Sequence, residues 1–228
     1  MKRYLIGACL TLTVTALLQA QNISFPNFGL KSHETLNISK VEITPTSTVI
    51  YLSLENRIDG GTFCADKNLF ITYPDGTRSR LISSKGIPVC PSSYRFKTIG
   101  EKLNFVLTFP PLKPGTQWVD LIEDCTDNCF SFYGVCLNST LNSKIDEASV
   151  LAENGESSKA LGEFTKIANS EAGKDSGLEG LIYMNIVKLS KETGNVTEAA
   201  KWYNKLKSSD ISRSGLYIKH LNSQGISY

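Results

Sequence analysis

The segment FSFYGVCLNSTLNSKIDEASVLAENG, residues 130–155, contains the point at which this chain changes in composition and in hydrophobic spacing. All eight prolines lie before it, between residues 26 and 114, and the last of the six cysteines is Cys136. After this cysteine the apolar residues recur at intervals of three or four, the spacing of a helix that packs on one face. The change predicts an α+β chain of two domains, with a β domain at residues 37–139 and a helical domain at residues 140–228.

Short stretches of alternating or β-branched residues, separated by turn residues, predict about eight strands in the N-terminal half. They are residues 37–44, 47–54, 69–73, 77–83, 94–97, 103–109, 118–122 and 130–137. The sequence Pro74-Asp75-Gly76 predicts a hairpin turn between two of them. Many short strands without an intervening helix are typical of an antiparallel β-sandwich of the immunoglobulin-like type. Residues 21–36 are expected to form an N-terminal extension before this domain.

Two pairs of amphipathic helices are predicted in the C-terminal half. Their apolar stripes are Ile145, Ala148, Leu151 and Ala152, then Ala160, Leu161, Phe164, Ile167 and Ala168, then residues 181–189 and residues 196–206. A glycine, Gly155 or Gly194, separates the two helices within each pair. Each second helix has an alanine followed four residues later by an aromatic residue, and these pairs are Ala160 with Phe164 and Ala199 with Tyr203.

This arrangement is similar to the tetratricopeptide repeat, in which a small alanine lets two helices approach and an aromatic side chain fills the gap. The two alanines lie 39 residues apart, whereas that repeat has a period of 34. The leading Trp and the closing Pro of the repeat are absent. Two pairs are fewer than the three repeats usually needed for stability. The helical domain is therefore expected to dock on the β domain, to be capped by residues 210–228, or to form oligomers.

The resemblance implies that the first helix of each pair lines a concave face that binds another protein. Ser149 would contribute from the first pair, and Met184, Lys188 and Lys191 from the second. Lys188 and Lys191 lie three positions apart on one helix face and would hold a carboxylate of the partner. The alternative is an ordinary solvated face of lysines.

The N-terminus has the three parts of a secretory signal peptide, predicted as residues 1–20. Lys2 and Arg3 form a basic start, an apolar run follows, and Ala20 is the small residue at its end. An alternative interpretation as a lipoprotein would place the acylated residue at Cys9. Export would bring the chain to the periplasm or the cell surface.

Charge and hydropathy exclude two classes of partner. Removal of the signal peptide would leave 22 basic and 22 acidic residues. A protein that binds nucleic acid or an anionic membrane usually has a basic surplus, so neither partner is expected. No later segment approaches the apolar length of about 20 residues that a membrane span requires.

Five cysteines remain after the predicted signal peptide, and most of them should pair in an oxidising compartment. The close spacing of Cys125 and Cys129 predicts a disulfide that fixes the turn between two strands. Cys64 and Cys90 would form the second pair by exclusion, and Cys136 would be a buried free thiol, although the residues permit other pairings. A redox site or a zinc site at the close pair is the alternative. The Cys-x-x-x-Cys spacing in a β context and the distance of both histidines in sequence argue against these sites.

Four segments of the β half share a further feature. They are Cys64-Ala-Asp-Lys-Asn, Gly86-Ile-Pro-Val-Cys90-Pro, Phe109-Pro-Pro-Leu112 and Asp127-Asn-Cys-Phe-Ser-Phe-Tyr-Gly134. Together they resemble the N-terminal β domain of a family of exported bacterial proteins whose biochemical function is not established. The resemblance covers residues 37–137 and implies a sandwich domain located in the cell envelope. It brings no catalytic residues with it.

Motifs for catalysis are absent from the sequence. The chain has two histidines and no Gly-x-Ser-x-Gly, His-Glu-x-x-His, P-loop or dinucleotide-binding fingerprint. We therefore expect no enzymatic activity, cofactor or metal, but an exported binding or scaffold protein whose helical half holds another protein of the cell envelope. One alternative is a sandwich that binds a carbohydrate or small ligand, with Tyr94, Phe96, Trp118 and Tyr133 as candidate exposed aromatic residues. The other is a thiol-redox accessory protein that uses the closely spaced cysteines.

Overall fold

The structure is a computed structural model, and it describes residues 20–126, 128–211 and 213–228. The predicted signal peptide, apart from Ala20, and the alternative acylation site Cys9 lie outside these residues. Within the described ranges, no helix has both the length and the apolar composition needed to cross a membrane.

Antiparallel β-sheets form the N-terminal half. The strands are β1 (Gln21–Ser24), β2 (Leu30–Lys31), β3 (Leu36–Ile43), β4 (Thr48–Glu55), β5 (Thr62–Phe63), β6 (Leu69–Thr72), β7 (Arg78–Arg80), β8 (Ser83–Lys85), β9 (Tyr94–Arg95), β10 (Lys102–Phe109), β11 (Trp118–Glu123) and β12 (Ser131–Cys136). One five-stranded sheet has the order β1-β3-β4-β10-β8, and the other has the order β2-β12-β11-β6-β7. The short strands β5 and β9 pair with each other.

The two five-stranded sheets share one hydrophobic core. Along β4 the residues alternate between buried and half-buried, and Ile50 and Leu52 lie on the buried face. These side chains belong to the same apolar cluster as Leu121 and Phe132 of the other sheet. Because successive residues of a strand point to opposite faces, the alternation in the sequence specifies the face that each strand buries.

Residues 21–36, expected as an N-terminal extension, are instead part of both sheets. β1 pairs with β3, with Ile23 opposite Val41, and β2 pairs with β12. Ile23 is 4 % exposed and belongs to the sandwich core. Strands of two to four residues are too short to show a periodic pattern, and β2 pairs with a strand about 100 residues away, which no local signal indicates.

Helices form the described part of the C-terminal half. They are α1 (Ser139–Glu153), α2 (Ser157–Asn169), α3 (Glu179–Glu192), α4 (Val196–Ser208) and α5 (Ser214–Ser223). The side chain of Asn138 accepts a hydrogen bond from the N–H of Leu141 at 3.0 Å, so α1 begins directly after the last strand. Gly155 and Gly194 have φ angles of 78° and 77° at the two predicted hairpin turns.

The predicted alanine–aromatic pairs lie in the core of the helical half. Ala160 and Ala199 are fully buried, and Phe164 and Tyr203 are 1 % and 3 % exposed. The hydroxyl of Tyr203 donates a hydrogen bond to Oδ1 of Asn222 in α5 at 2.7 Å, so the C-terminal segment covers the second hairpin. The prediction of antiparallel sheets followed by helices is confirmed. The immunoglobulin-like and tetratricopeptide-like assignments stay predictions.

The cysteines pair as predicted. The sulfur atoms of Cys64 and Cys90 lie 2.04 Å apart, and those of Cys125 and Cys129 lie 1.98 Å apart. Cys136 is a buried free thiol, and burial raises its pKa to about 11. Disulfides of this kind indicate that the chain folds in an oxidising compartment.

A buried carboxylate joins the loops that contain the two disulfides. Glu123 is 7 % exposed, and its two oxygens accept hydrogen bonds from the N–H groups of Asp66 at 2.6 Å and Phe130 at 3.0 Å. Burial raises the pKa of Glu123, and the two hydrogen bonds oppose this shift. Asp66 lies just after Cys64 and Phe130 just after Cys129, so one side chain positions both loops.

We expect Glu123→Gln to lower the free energy of unfolding by about 1 to 3 kcal/mol, because an amide has one acceptor oxygen for two buried N–H donors. Unfolding in denaturant, followed by circular dichroism, measures the change. Glu147→Gln, at an exposed position of α1, is the control and should change the value by less than about 0.5 kcal/mol. Equal stabilities of the two variants would contradict the role of Glu123.

We expect Gly134→Ala to destabilise the protein by more than about 2 kcal/mol, because a methyl group opposes both the backbone conformation and the packing there. Gly134 has a φ angle of 65°, and a Cβ would lie 2.1 Å from the carbonyl oxygen of Gly177 in the loop before α3. Gly162 is the control, since it is exposed in α2 with open space around it. Gly162→Ala should stabilise by about 0.5 to 1 kcal/mol. The midpoint temperature of thermal unfolding measures both changes, and a midpoint that rises in both variants would contradict the close packing at Gly134.

Candidate functional site

The two halves of the chain meet at an ion pair between a buried carboxylate and a partly buried guanidinium. Asp120 on β11 is 4 % exposed, and its Oδ1 accepts a hydrogen bond from the N–H of Gly134 on β12 at 2.7 Å. Its Oδ2 accepts a hydrogen bond from Nη2 of Arg213, which lies just before α5. The guanidinium carbon of Arg213 lies 4.0 Å from the centroid of the Tyr133 ring. The β half therefore holds the helical half through a carboxylate and an aromatic face.

A second contact joins β11 to the loop before α3. Nε1 of Trp118 donates a hydrogen bond to the carbonyl oxygen of Asp175 at 2.9 Å. Gly177 lies directly against the indole, since a Cβ there would be 2.4 Å from the ring. The φ angles of Asp175 and Gly177 are 48° and 72°. The loop thus approaches the strand with its backbone, and glycine makes this approach possible.

Tyr217 of α5 completes the junction. Its side chain is 3 % exposed, and its ring packs directly on the backbone of Gly180 at the start of α3. Burial raises the pKa of Tyr217, Arg213 opposes the shift, and the carboxylate of Glu179 adds to it. The phenol therefore stays neutral at physiological pH.

These contacts border a cavity of about 810 Å³, which we call the junction cleft. Its lining residues are Tyr73, Pro74, Asp75, Lys113, Pro114, Gly115, Thr116, Gln117, Trp118, Asp175, Gly177, Glu179, Asp210, Ile211, Arg213 and Tyr217. The β half contributes the turn after β6 and the loop before β11, and the helical half contributes the loops before α3 and α5. The volume falls in the range of small-molecule sites, about 300 to 1,000 Å³.

Both cations that line the junction cleft are paired with carboxylates of the chain. Nζ of Lys113 lies 2.7 Å from Oδ2 of Asp75 and 4.7 Å from the centroid of the Tyr73 ring. The Lys113 ammonium holds the pKa of Asp75 well below its usual range. Arg213 pairs with Asp120 in the same manner.

Three more carboxylates line the junction cleft, and none of them has an ion pair among the residues described: Asp175, Glu179 and Asp210. Oε1 of Glu179 accepts a hydrogen bond from the N–H of Ser176 at 2.9 Å. Partial burial raises the pKa of Glu179, and the nearby charge of Asp175 raises it further. The cleft therefore has an excess of negative charge. In the described ranges, no group of three or more His, Cys, Asp or Glu side chains is placed to hold a metal ion.

Two of the three predicted partner-binding residues of α3, Lys188 and Lys191, contact the C-terminal segment of their own chain, and the third, Met184, is buried. Met184 is 7 % exposed, and Nζ of Lys188 lies 3.4 Å from Nε2 of His220 in α5. Lys191 donates a hydrogen bond to the carbonyl oxygen of Gly225 at 2.9 Å. The C-terminal segment thus covers part of this face, while Lys188 is half-buried and Lys191 stays exposed.

Ser149, the fourth predicted partner-binding residue, lines a separate cavity of about 630 Å³ that we call the helical groove. Its lining residues are Phe25, Pro26, Asn27, Phe28, Asn37, Ile38, Ser39, Ser53, Ile145, Ser149, Leu181 and Asn185. None of these side chains is charged. Phe25 is 74 % exposed and has a φ angle of 46°.

The four aromatic residues proposed as a sugar platform lie in three different environments. Phe96 is 4 % exposed in the sandwich core, and the hydroxyl of Tyr94 donates a hydrogen bond to Oε1 of Glu101 at 2.6 Å. Trp118 and Tyr133 both lie at the junction. The disulfide of the β11–β12 turn lies at the other end of β11 from the cleft.

No protein-family model, no curated protein and no solved structure matches the chain. The resemblance of residues 37–137 to an exported bacterial β domain therefore stays a prediction, as does the similarity of the helical half to the tetratricopeptide repeat. A functional assignment rests on the geometry of the cavities.

Sequence reasoning did not identify four residues that form the junction: Asp120, Glu179, Arg213 and Tyr217. Asp120 gave one local signal, since it is a charged residue between the apolar residues Val119 and Leu121 of a predicted strand. Its partner Arg213 lies 93 residues further along the chain. No pattern within a sequence window connects residues at this separation.

We expect Asp120→Asn to lower the free energy of unfolding by about 3 kcal/mol, because it leaves the partly buried Arg213 charge without its partner. A double-mutant cycle with Arg213→Gln should give a coupling energy above about 1 kcal/mol. Glu163→Gln, which breaks an exposed pair with Lys166 on α2, should leave the unfolding midpoint close to the wild-type value. A coupling energy near zero would show that the ion pair does not hold the two halves together.

Proposed function

We propose that this chain is an exported, non-catalytic binding protein of the periplasm or cell surface, and that its ligand site is the junction cleft. The observation that carries the proposal is the composition of this cleft. Aromatic rings from both halves, with carboxylates of the helical half that have no ion pair among the described residues, surround a volume suited to a small molecule. Disulfides and the predicted signal peptide support export.

The positions of the reactive side chains support binding over catalysis. Neither histidine lines the junction cleft, since His33 contacts the Phe63 ring and His220 lies beside Lys188. The hydroxyl of Thr116, which does line it, donates a hydrogen bond to the carbonyl oxygen of its neighbour Lys113 at 2.7 Å. A nucleophile activated by an adjacent base would require a different arrangement.

The second candidate is the protein-binding scaffold that the sequence analysis favoured, with the helical groove as its site. Phe25 at the rim and Leu181 on α3 offer apolar contacts, and Ser149 and Asn185 offer hydrogen bonds. The absence of charge among the side chains that line this groove suits an uncharged, apolar segment of an envelope or secreted protein.

The two tryptophans of the chain make the junction cleft directly testable. Trp118 lines the cleft, and Trp202 is buried in the helical core. In a Trp202→Phe protein the tryptophan emission therefore reports on the cleft. We expect one fraction of a native envelope extract, separated into peptides, oligosaccharides and amines, to shift this emission. Asp210→Arg, which places a long side chain into the cleft, should abolish the shift.

Ser149→Arg is the matched control, because it places the same side chain in the helical groove and should preserve the shift. Under the scaffold candidate, a protein of the extract instead remains bound to the wild-type chain. If Ser149→Arg abolishes that binding and Asp210→Arg does not, the result supports the scaffold candidate. If no fraction shifts the emission, or if Asp210→Arg leaves the shift intact, the junction cleft is not the ligand site.

A further inference from the structure

We propose that the ligand of the junction cleft is a small organic cation, with an ammonium or guanidinium group on an apolar stem. The inference rests on the proposed function, since it takes the cleft as the ligand site. Three sets of aromatic and acidic side chains surround the cleft. Two of these sets hold a cation that belongs to the chain.

The first set holds Lys113. Its ammonium nitrogen lies 4.7 Å from the centroid of the Tyr73 ring and 2.7 Å from Oδ2 of Asp75. A cation near an aromatic ring and beside a carboxylate gains from the ring quadrupole and from the negative charge together. This wall of the cleft thus already binds an ammonium group on an apolar stem, which is supplied by the chain itself.

The second set holds Arg213. Its guanidinium carbon lies 4.0 Å from the centroid of the Tyr133 ring, and its Nη2 donates to Oδ2 of Asp120. The combination of an aromatic ring with a carboxylate is the same as in the first set, although the cation here is a guanidinium. Both kinds of cation are therefore accommodated at the edges of this cleft.

The third set has rings and carboxylates, and no ammonium or guanidinium of the described residues forms an ion pair with those carboxylates. The indole of Trp118 lies beside Asp175, to whose carbonyl oxygen its Nε1 donates at 2.9 Å. Glu179 and Tyr217 line the cleft together with Asp175, and the Tyr217 ring packs on Gly180, the residue after Glu179. Several carboxylates that line one cleft without forming ion pairs favour the entry of a positive group.

Lys174, which precedes Asp175 in the sequence, has Glu171 as its main partner, and the charge of Asp175 makes only a smaller contribution to its raised pKa. Its Nζ lies 2.7 Å from Oε1 of Glu171. Asp210 also lines the cleft without an ion pair among the described residues, so it adds to the negative charge. A positive ligand is the one that this charge distribution attracts.

Size and spacing favour an organic cation over a metal ion. Calcium requires six to eight oxygen ligands at about 2.3 to 2.6 Å. Across the ranges that the structure covers, no three acidic, His or Cys side chains are grouped to hold a metal. A cavity of about 810 Å³ with aromatic walls has room for an apolar stem as well as its charged end.

The test measures Trp118 emission in the Trp202→Phe protein with five probes: cadaverine, agmatine, the neutral pentanediol, the anionic glutarate, and calcium chloride. We expect cadaverine or agmatine to bind at least about tenfold more tightly than pentanediol. Glu179→Gln and Asp175→Asn should each weaken that binding by about tenfold. Both changes keep the shape of the side chain, and asparagine tolerates the left-handed backbone at residue 175. Glu147→Gln on α1 should have no effect.

Each other outcome overturns the inference in a distinct way. Tighter binding of pentanediol or glutarate would exclude a cation and keep the junction cleft as the ligand site. Calcium binding that depends on the same carboxylates would replace the organic cation by a metal ion. If no probe binds at millimolar concentration, the cation is excluded. The separate experiment, in which fractions of the envelope extract shift the Trp118 emission, then decides whether the cleft is a ligand site.

Discussion

Asp120 lies buried on β11 with a negative charge that needs partners from both halves of the chain. One oxygen accepts the N–H of Gly134 in the neighbouring strand, and the other accepts the guanidinium of Arg213, 93 residues further along. An unpaired charge at this depth costs several kcal/mol. The sandwich therefore reaches its full stability only when the helical half is docked, so one side chain couples the folding of two units that differ in secondary structure.

Where the helical half docks, the backbone of the loop before α3 contacts the backbone of β12. Gly134 meets the carbonyl oxygen of Gly177, and Gly177 lies against the indole of Trp118. Tyr217 packs on Gly180 in the same way. Small residues permit these close approaches, and their cost is the conformational entropy that glycine loses on folding. The two aromatic side chains in these contacts, Trp118 and Tyr217, also line the junction cleft.

The charges of the cleft follow from this architecture. Two cations, Lys113 and Arg213, are used to join loops and domains, so they neutralise their own partner carboxylates. The carboxylates of the loops before α3 and α5 receive no such partner among the described residues. A ligand bound between them would contact both halves and would stabilise the docked state by mass action. Ligand binding and the integrity of the junction are thus expected to depend on each other.

Hydrophobic period, turn residues and cysteine spacing by themselves indicated antiparallel strands followed by helices, the glycine turns within the two helical hairpins, and a disulfide between Cys125 and Cys129. These features depend on residues that are close in sequence, or on the small number of ways in which the cysteines can pair, so they can be read from the sequence. Tertiary structure alone decided that residues 21–36 supply strands to both sheets and that α5 covers Lys188. It also brought Asp120 to Arg213, and the loops before α3 and α5 to the loops of the β half with which they line the cleft. The physical reason is that a pattern specifies the face an element buries, whereas its partner depends on how distant elements pack.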